Sequence, residues 1–172
     1  MLCPECSHDN PAGAETCENC GYELPPRPAT VPEDQPTSRL ASEPLSALLP
    51  KKPIFVARDA SVAHAVDTMN RHDIGCVLVG SPEDVAGIFS ERDLLFGVGE
   101  AYEEAKQRPV ADFMTRRPET LDANTPLLNA LGRMAAGGFR HVPVTRAGRL
   151  VGVVSLRDLL GLVSKWYPDL VG

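Results

Sequence analysis

The stretch Gly87-Ile88-Phe89-Ser90-Glu91-Arg92-Asp93-Leu94-Leu95 returns as Gly152-Val153-Val154-Ser155-Leu156-Arg157-Asp158-Leu159-Leu160, sixty-five residues later. Outward from it the offset holds without a gap. Pro44 falls with Pro109, Pro53 with Pro118, Ala65 with Ala130, Met69 with Met134, Val77 with Val142 and Val79 with Val144. A period of this length marks one small supersecondary unit used twice, and two such units are expected to bury their apolar faces against each other. Whatever the Ser and Asp do in one copy is also available in the other. That duplication points to a binding module rather than a single catalytic centre.

Each copy reads as strand, helix, strand, strand, helix, a βαββα unit of the α+β class. Ile54-Phe55-Val56 and Glu119-Thr120-Leu121 are short extended starts. Ser61 fits the cap of a helix whose apolar positions Val62, Ala65, Val66 and Met69 fall on one face. In the second copy Thr125 fits the cap, Pro126 the first turn, and Gly137-Gly138 the stop. Residues 76–79 and 140–144 predict strands, with 85–89 and 150–154 as their partners; Ala147-Gly148 predicts a tight turn. Residues 45–49 and 110–114 predict short helical lead-ins before each copy, and 97–108 a polar helical excursion between them.

The 172 residues carry a net charge of −6 and a hydrophobic fraction of 43%. That is enough for one ordinary core plus something small. The mild acidity argues against a nucleic-acid or membrane surface as the main partner. No apolar run approaches the roughly 20 residues of a membrane span, and no secretory signal pattern is visible, so a cytoplasmic protein is expected. Four segments are expected: a cysteine head over 1–24, a linker over 25–43, and the copies over 44–108 and 109–172. The linker holds Pro25, Pro26, Pro28, Pro32 and Pro36 and few apolar side chains. Such a stretch buries too little surface to offset its ordering entropy.

Two readings fit the repeated Ser-x-x-Asp. It is close to a capping box, in which the hydroxyl caps the helix and the acid three residues on reaches back. The same geometry also suits a ligand. A helix N-terminus offers amide donors to a phosphate, the hydroxyl adds a donor, and the carboxylate suits the two hydroxyls of a ribose. The Gly three residues before the Ser allows close approach of a backbone or a flat base. Arg92 and Arg157 recur in register and suit phosphate by their fork of donors, or are solvated arginines on an exposed turn.

On residues 87–93 and 152–158, with Asp112-Phe113-Met114-Thr115 and Phe139-Arg140-His141-Val142-Pro143-Val144, residues 44–164 resemble a tandem of CBS domains, the pair called a Bateman module. The resemblance implies a pseudo-twofold pair of βαββα units with facing sheets. It implies adenosine-containing ligands (AMP, ADP, ATP, S-adenosylmethionine) in clefts between the copies, and a disc-like homodimer of two modules. By the same resemblance the motif Asp holds ribose, the Ser contacts ribose or phosphate, and a first-strand polar residue touches the base. Basic residues of the partner copy's central strand meet phosphate. Carried onto this chain, one site has Thr120, Ser155 and Asp158. The other has Ser90 and Asp93, but Phe55 stands where Thr120 stands, either packing on a base or serving as core. Arg140 and His141 match Gly75 and Cys76, so only the second copy brings cations from this strand, and by the cross-copy rule they serve the first site. Cys76 reads as a small buried hydrophobe.

Cys3-Pro4-Glu5-Cys6 and Cys17-Glu18-Asn19-Cys20 are two Cys-x-x-Cys turns. Two such turns complete a tetrahedral shell of four thiolates, and in so short a segment the metal supplies most of the folding free energy. The head resembles the short zinc ribbons of prokaryotic proteins, including the Asn10-Pro11-Ala12-Gly13-Ala14 loop; it departs at Ser7, where a knuckle often has Gly. Zinc is expected, with rubredoxin-like iron and a redox dithiol pair as competitors. His8 is a spare ligand candidate. A closed shell leaves no open position for catalysis. With Glu5, Asp9, Glu15, Glu18 and Glu23 and no Lys or Arg through Leu24, the head repels a phosphate backbone and fits a structural role or a protein partner.

Three function classes follow: a regulatory adenine-nucleotide sensor, an assembly module with empty clefts, and an enzyme. No nucleophile–base pair, Walker-type loop or open metal site is visible, which disfavours the enzyme. No effector domain is visible either, so the expected target of regulation is another chain.

Overall fold

The two repeats exchange their lead-ins, and the reason is visible in the backbone donors left over at each helix start. In the computed structural model, which describes residues 3, 5–6, 8–11, 14–24, 36–48 and 50–168, the strands and helices expected within each repeat appear in order, with a helix at Pro36–Ser42 and a strand at Thr115–Arg116 added. The first is α1 (Pro36–Ser42), followed by a 3-10 turn at Leu45–Leu48. Repeat one then gives β1 (Phe55–Val56), α2 (Val62–His72), β2 (Cys76–Ser81), β3 (Asp84–Ser90) and α3 (Glu91–Asp93). A π-helical turn (Leu94–Val98), a 3-10 turn (Gly99–Ala101) and α4 (Tyr102–Ala105) follow. After a second 3-10 lead-in at Val110–Asp112 come β4 (Thr115–Arg116), β5 (Leu121–Asp122), α5 (Leu127–Gly137), β6 (His141–Arg146), β7 (Arg149–Ser155) and α6 (Leu156–Trp166).

The strands form two sheets, ordered β1-β2-β3-β4 and β5-β6-β7. Each opens with a parallel pair, β1 on β2 and β5 on β6, as a helical crossover requires. Each then closes an antiparallel hairpin. Both hairpins shift register at the same repeat position, between Val79 and Gly80 and between Val144 and Thr145. The expected turn at Ala147-Gly148 has φ of 50° and 73°, the left-handed pair that matches strand twist.

The chain divides into two compact units, one of Met1–Leu49, Ala123–Arg140 and Leu156–Gly172, the other of Pro50–Asp122 and His141–Ser155. The second unit holds both sheets. Val77, Val79 and Phe89 of repeat one pack with Val62, Ala65 and Met69 of α2 and with Val110 and Met114 of the second lead-in. The alternate residues Cys76, Leu78 and Ile88 pack with Phe55, Leu150 and Val153, so the strands are buried on both faces. Phe55 is thus core. The first unit holds the cysteine head, α1, α5 and α6. Burial follows the repeat: Val62 and Leu127, Ala65 and Ala130, Met69 and Met134, Val79 and Val144 are all buried.

The exchange is written in hydrogen bonds that recur at the sixty-five-residue offset. The first N–H of α2, at Val62, donates to Arg108 C=O at 3.0 Å, and that of α5, at Leu127, donates to Glu43 C=O at 2.8 Å. Val110 N donates to Ala60 C=O and Leu45 N to Thr125 C=O, each at 2.8 Å. These bonds satisfy orphan donors that every helix start leaves. They also correct the expected cap of α5. Pro126, not Thr125, is its capping residue, and no side chain caps it. Ser61 does cap α2, accepting from His64 N at 3.1 Å.

The linker expected over 25–43 ends sooner than read. Residues 25–35 lie outside the described residues, but Pro36–Ser42 form a helix. Leu40 is buried and the Arg39 guanidinium lies 4.1 Å from the centre of the Trp166 ring in α6. Tertiary contact offsets an ordering cost that local composition alone could not.

The motif glycines serve backbone approach. A Cβ on Gly87 would stand 2.7 Å from Thr115 O and 2.6 Å from Met114 Sδ; one on Gly152 would stand 2.9 Å from Lys51 O and 2.5 Å from Pro50 Cβ. The incoming lead-in, not a base, occupies that space. Gly87→Val is expected to cost about 1–3 kcal/mol of stability by overpacking. Urea unfolding checks it, and an unchanged midpoint refutes the close approach.

Candidate functional site

The cysteine head is built from two turns that need little sequence. Cys3 N donates to His8 C=O at 2.8 Å, closing the first. Cys17 N donates to Tyr22 C=O at 2.8 Å and Gly21, at φ 73°, turns the second. Ser7 lies outside the described residues. The four sulfur atoms lie within 4.8 Å of one another, with Cys3 Sγ to Cys20 Sγ at 3.6 Å and Cys6 Sγ to Cys17 Sγ at 3.5 Å. Four ligands ~2.3 Å from a zinc ion have edges of roughly 3.8 Å, so the set fits a tetrahedral ion. His8 is exposed and outside the set.

The thiols do not titrate alike. Burial raises Cys17, but the amides of Cys20 and Asn19, with the Asn10 side chain and Cys6, bring it down to about 6. For Cys20 the amide of Tyr22 lowers the value, yet desolvation and the neighbouring thiols push it up to about 12. Cys6 is lowered, first by the Asn19 side chain. Crowded thiols resist common ionisation, and a cation removes that conflict.

Asn10 supports the shell. Although polar, it is 3% exposed. Its Nδ2 donates to His8 C=O at 3.0 Å and to Cys17 Sγ at 3.5 Å, while Glu18 N donates to its Oδ1 at 2.9 Å. The head is also tethered: Arg133 Nη1 of α5 donates to Glu5 C=O at 2.8 Å, between the first two cysteines.

The Ser90 turn is a complete capping box. Ser90 N and Ser90 Oγ both donate to Asp93 Oδ2, at 2.8 and 2.6 Å, and Asp93 N donates to Ser90 Oγ at 3.5 Å. The other carboxylate oxygen, Oδ1, accepts from Thr115 Oγ1 of β4 at 2.8 Å. The turn is seated by Glu91 N donating to Gly75 C=O at 3.0 Å. Against that Gly75 lies His141 of the other repeat. A Cβ there would meet His141 Nε2 and Cε1 at 2.7 Å and Glu91 Cδ at 3.3 Å. The structure therefore brings His141 beside the Ser90 turn. Cys76, also nearby, is pushed up to about 12 by burial and by Glu91 and Asp93, and stays a neutral thiol.

In the second repeat Leu156 N donates to Arg140 C=O at 2.8 Å, the counterpart of the Glu91 bond. Ser155 pairs across the hairpin with His141 and is half-buried, and Asp158 stands in the first turn of α6. Thr120 is exposed, one residue before β5. Arg140 and Arg157 are exposed. Arg92 is exposed too, its guanidinium 5.7 Å from the centre of the Phe96 ring.

Sequence reasoning missed Thr115, Arg133 and the work of Asn10. A buried short amide between two cysteine turns carried a signal for Asn10. The other two act across long separations that no local pattern reports.

The family model for the CBS domain matches residues 45–100 and 110–165, and that for a zinc-ribbon domain matches residues 2–24. An uncharacterised 17.7 kDa protein of Acidianus ambivalens is 33% identical over 67% of this chain and 70% of its own length. A CBS-domain-containing protein of Agrobacterium tumefaciens aligns with a TM-score of 0.63 and 33% identity, over 69% of this chain and 94% of that one. A CBS-domain protein of Pyrobaculum aerophilum, solved with AMP, has a TM-score of 0.60 and 24% identity, over 72% of this chain and 99% of its own.

Asn10→Ala is expected to weaken metal binding by about 10–100-fold, the effect of losing an outer-shell partner, while Cys17→Ser abolishes binding. Competition with a chromophoric chelator measures both, and an unchanged affinity for Asn10→Ala removes it from the support of the shell.

Proposed function

We propose, on the premise that this chain belongs to the CBS-domain family and carries an N-terminal zinc-ribbon domain, that it is a non-catalytic regulatory module binding an adenosine-containing ligand of the AMP, ADP and ATP class. The observation that carries this reading is the Ser-x-x-Asp motif, repeated in register and built at Ser90 as a tight turn with a cation-capable histidine from the other repeat beside it. Asp93 and Asp158 take ribose hydroxyls, and Ser90 and Ser155 take ribose or phosphate. Thr120 meets the base, while Arg92, Arg140, His141 and Arg157 supply positive charge. The AMP-bound relative from Pyrobaculum supports the ligand class.

The two turns are unequal. α6 has eleven residues behind Ser155, whereas α3 has three and continues as a π-helical turn. A longer run of aligned peptides presents a fuller positive end to phosphate, which favours the second turn for the charged part of a ligand.

The head holds zinc, with iron as the alternative ion for the same four sulfurs, and it acts as a structural element or a contact for a protein effector. Free thiolates persist as ligands in a reducing cytoplasm, which is the proposed location. Among the described residues no helix is long and apolar enough to cross a membrane. Leu95 and Phe96 are 68% and 82% exposed, which supports a homodimer, measurable by light scattering.

A second reading, an assembly module without a physiological nucleotide, draws on the same capping box: Ser90 and Asp93 already satisfy each other. Calorimetry separates the two. AMP or ATP is expected to bind at or below about millimolar concentration, and Asp93→Ala with Asp158→Ala to abolish the heat. Binding that survives both substitutions overturns the sensor.

A further inference from the structure

Asp93 has more donors on it than a ribose site allows. A carboxylate offers about four lone-pair positions. Three are taken, two on Oδ2 by Ser90 N and Ser90 Oγ and one on Oδ1 by Thr115 Oγ1. A vicinal diol needs two. The Ser90 amide is fixed at the end of β3, and the Ser90 hydroxyl is tied into the cap, where it also accepts from Asp93 N. Thr115 is exposed and stands on a two-residue edge strand, so its hydroxyl is the donor that yields at least cost. In the second repeat Pro50 stands at the matching position and has no hydroxyl.

Resting on the nucleotide reading above, we infer that Thr115 is a competitive latch on Asp93: its hydroxyl and the ribose diol contend for the same carboxylate, so occupancy of the first cleft releases β4, the segment that leads into the second repeat. Thr115 touches Asp93 rather than ligand, and is a positioning residue whose loss tightens binding. The release has a direction of travel. β4 pairs with β3 through Gly87 and Ile88 and runs on toward β5, so a ligand gripped in one repeat loosens the entry to the other.

The test uses the full chain with Asp158→Ala, which confines AMP to the Asp93 turn. Thr115→Val keeps shape and strand preference and removes the hydroxyl. It is expected to tighten AMP binding roughly tenfold, the scale of one hydrogen bond to a charged group. Thr115→Ser is expected to restore the original affinity. The gain from Val is expected to vanish with 2′,3′-dideoxyadenosine monophosphate, which lacks the diol; a purely structural role for Thr115 would not distinguish the two nucleotides. Should the Val variant fail to fold, Thr115→Ala carries the same comparison. If Thr115→Val leaves AMP affinity unchanged or weakens it while Asp93→Ala still weakens it, the latch is overturned and the nucleotide reading stands. If AMP gives no heat with the parent chain or either variant, both fall together.

Discussion

The exchange of backbone hydrogen bonds between each lead-in and the other repeat is the constraint on which the rest of the structure depends. Neither βαββα unit completes itself. The first helix of each has its leading N–H satisfied by a carbonyl belonging to the segment ahead of the opposite copy. Val110 and Met114 enter the core of repeat one although they precede repeat two in the chain. The glycines of the repeated motif exist because these segments run so close beneath them. Packing and topology are therefore one problem: a repeat separated from its neighbour would lose part of its core as well as an edge of its sheet. The expectation that such units need neighbours to bury their faces is met here in backbone as well as side chain.

The pairing of burial with the repeat offset was legible before any coordinates. Val62 with Leu127 and Met69 with Met134 could be placed because a helix stripe has a period, and Cys76 to Val79 because strands buried on both faces read as continuous apolar runs. The tight turn at Ala147-Gly148 followed from turn chemistry. The four sulfurs followed from spacing alone. Failures have a common cause. Thr125 looked like a cap because its neighbours were considered and Glu43 was not. Pro36–Ser42 looked like linker because Trp166, the residue that stacks on Arg39, lies near the other end of the sequence. Thr115 stands 22 residues from Asp93, beyond any local pattern.

The Ser90 turn illustrates how a stabilising motif and a proposed binding motif share parts. A capping box needs a hydroxyl and a carboxylate three residues apart, and the nucleoside grip proposed above draws on the same pair. Evolution of a ligand site from such a turn requires no new residue types, only a change in what the acid holds. Phe55 shows the converse: it stands at the repeat position that Thr120 holds in the second copy, and it packs half-buried among Cys76, Leu78, Ile88, Leu150 and Val153. Duplication thus preserved the frame in both copies while letting their chemistry drift apart.

The stacking of Arg39 on Trp166 has a practical consequence. This is the chain's single tryptophan, and a guanidinium at 4.1 Å from its ring centre is a charge whose departure changes the surroundings of the indole. The protein therefore carries an intrinsic optical gauge of whether the helix following the proline-rich segment is seated, readable without any label.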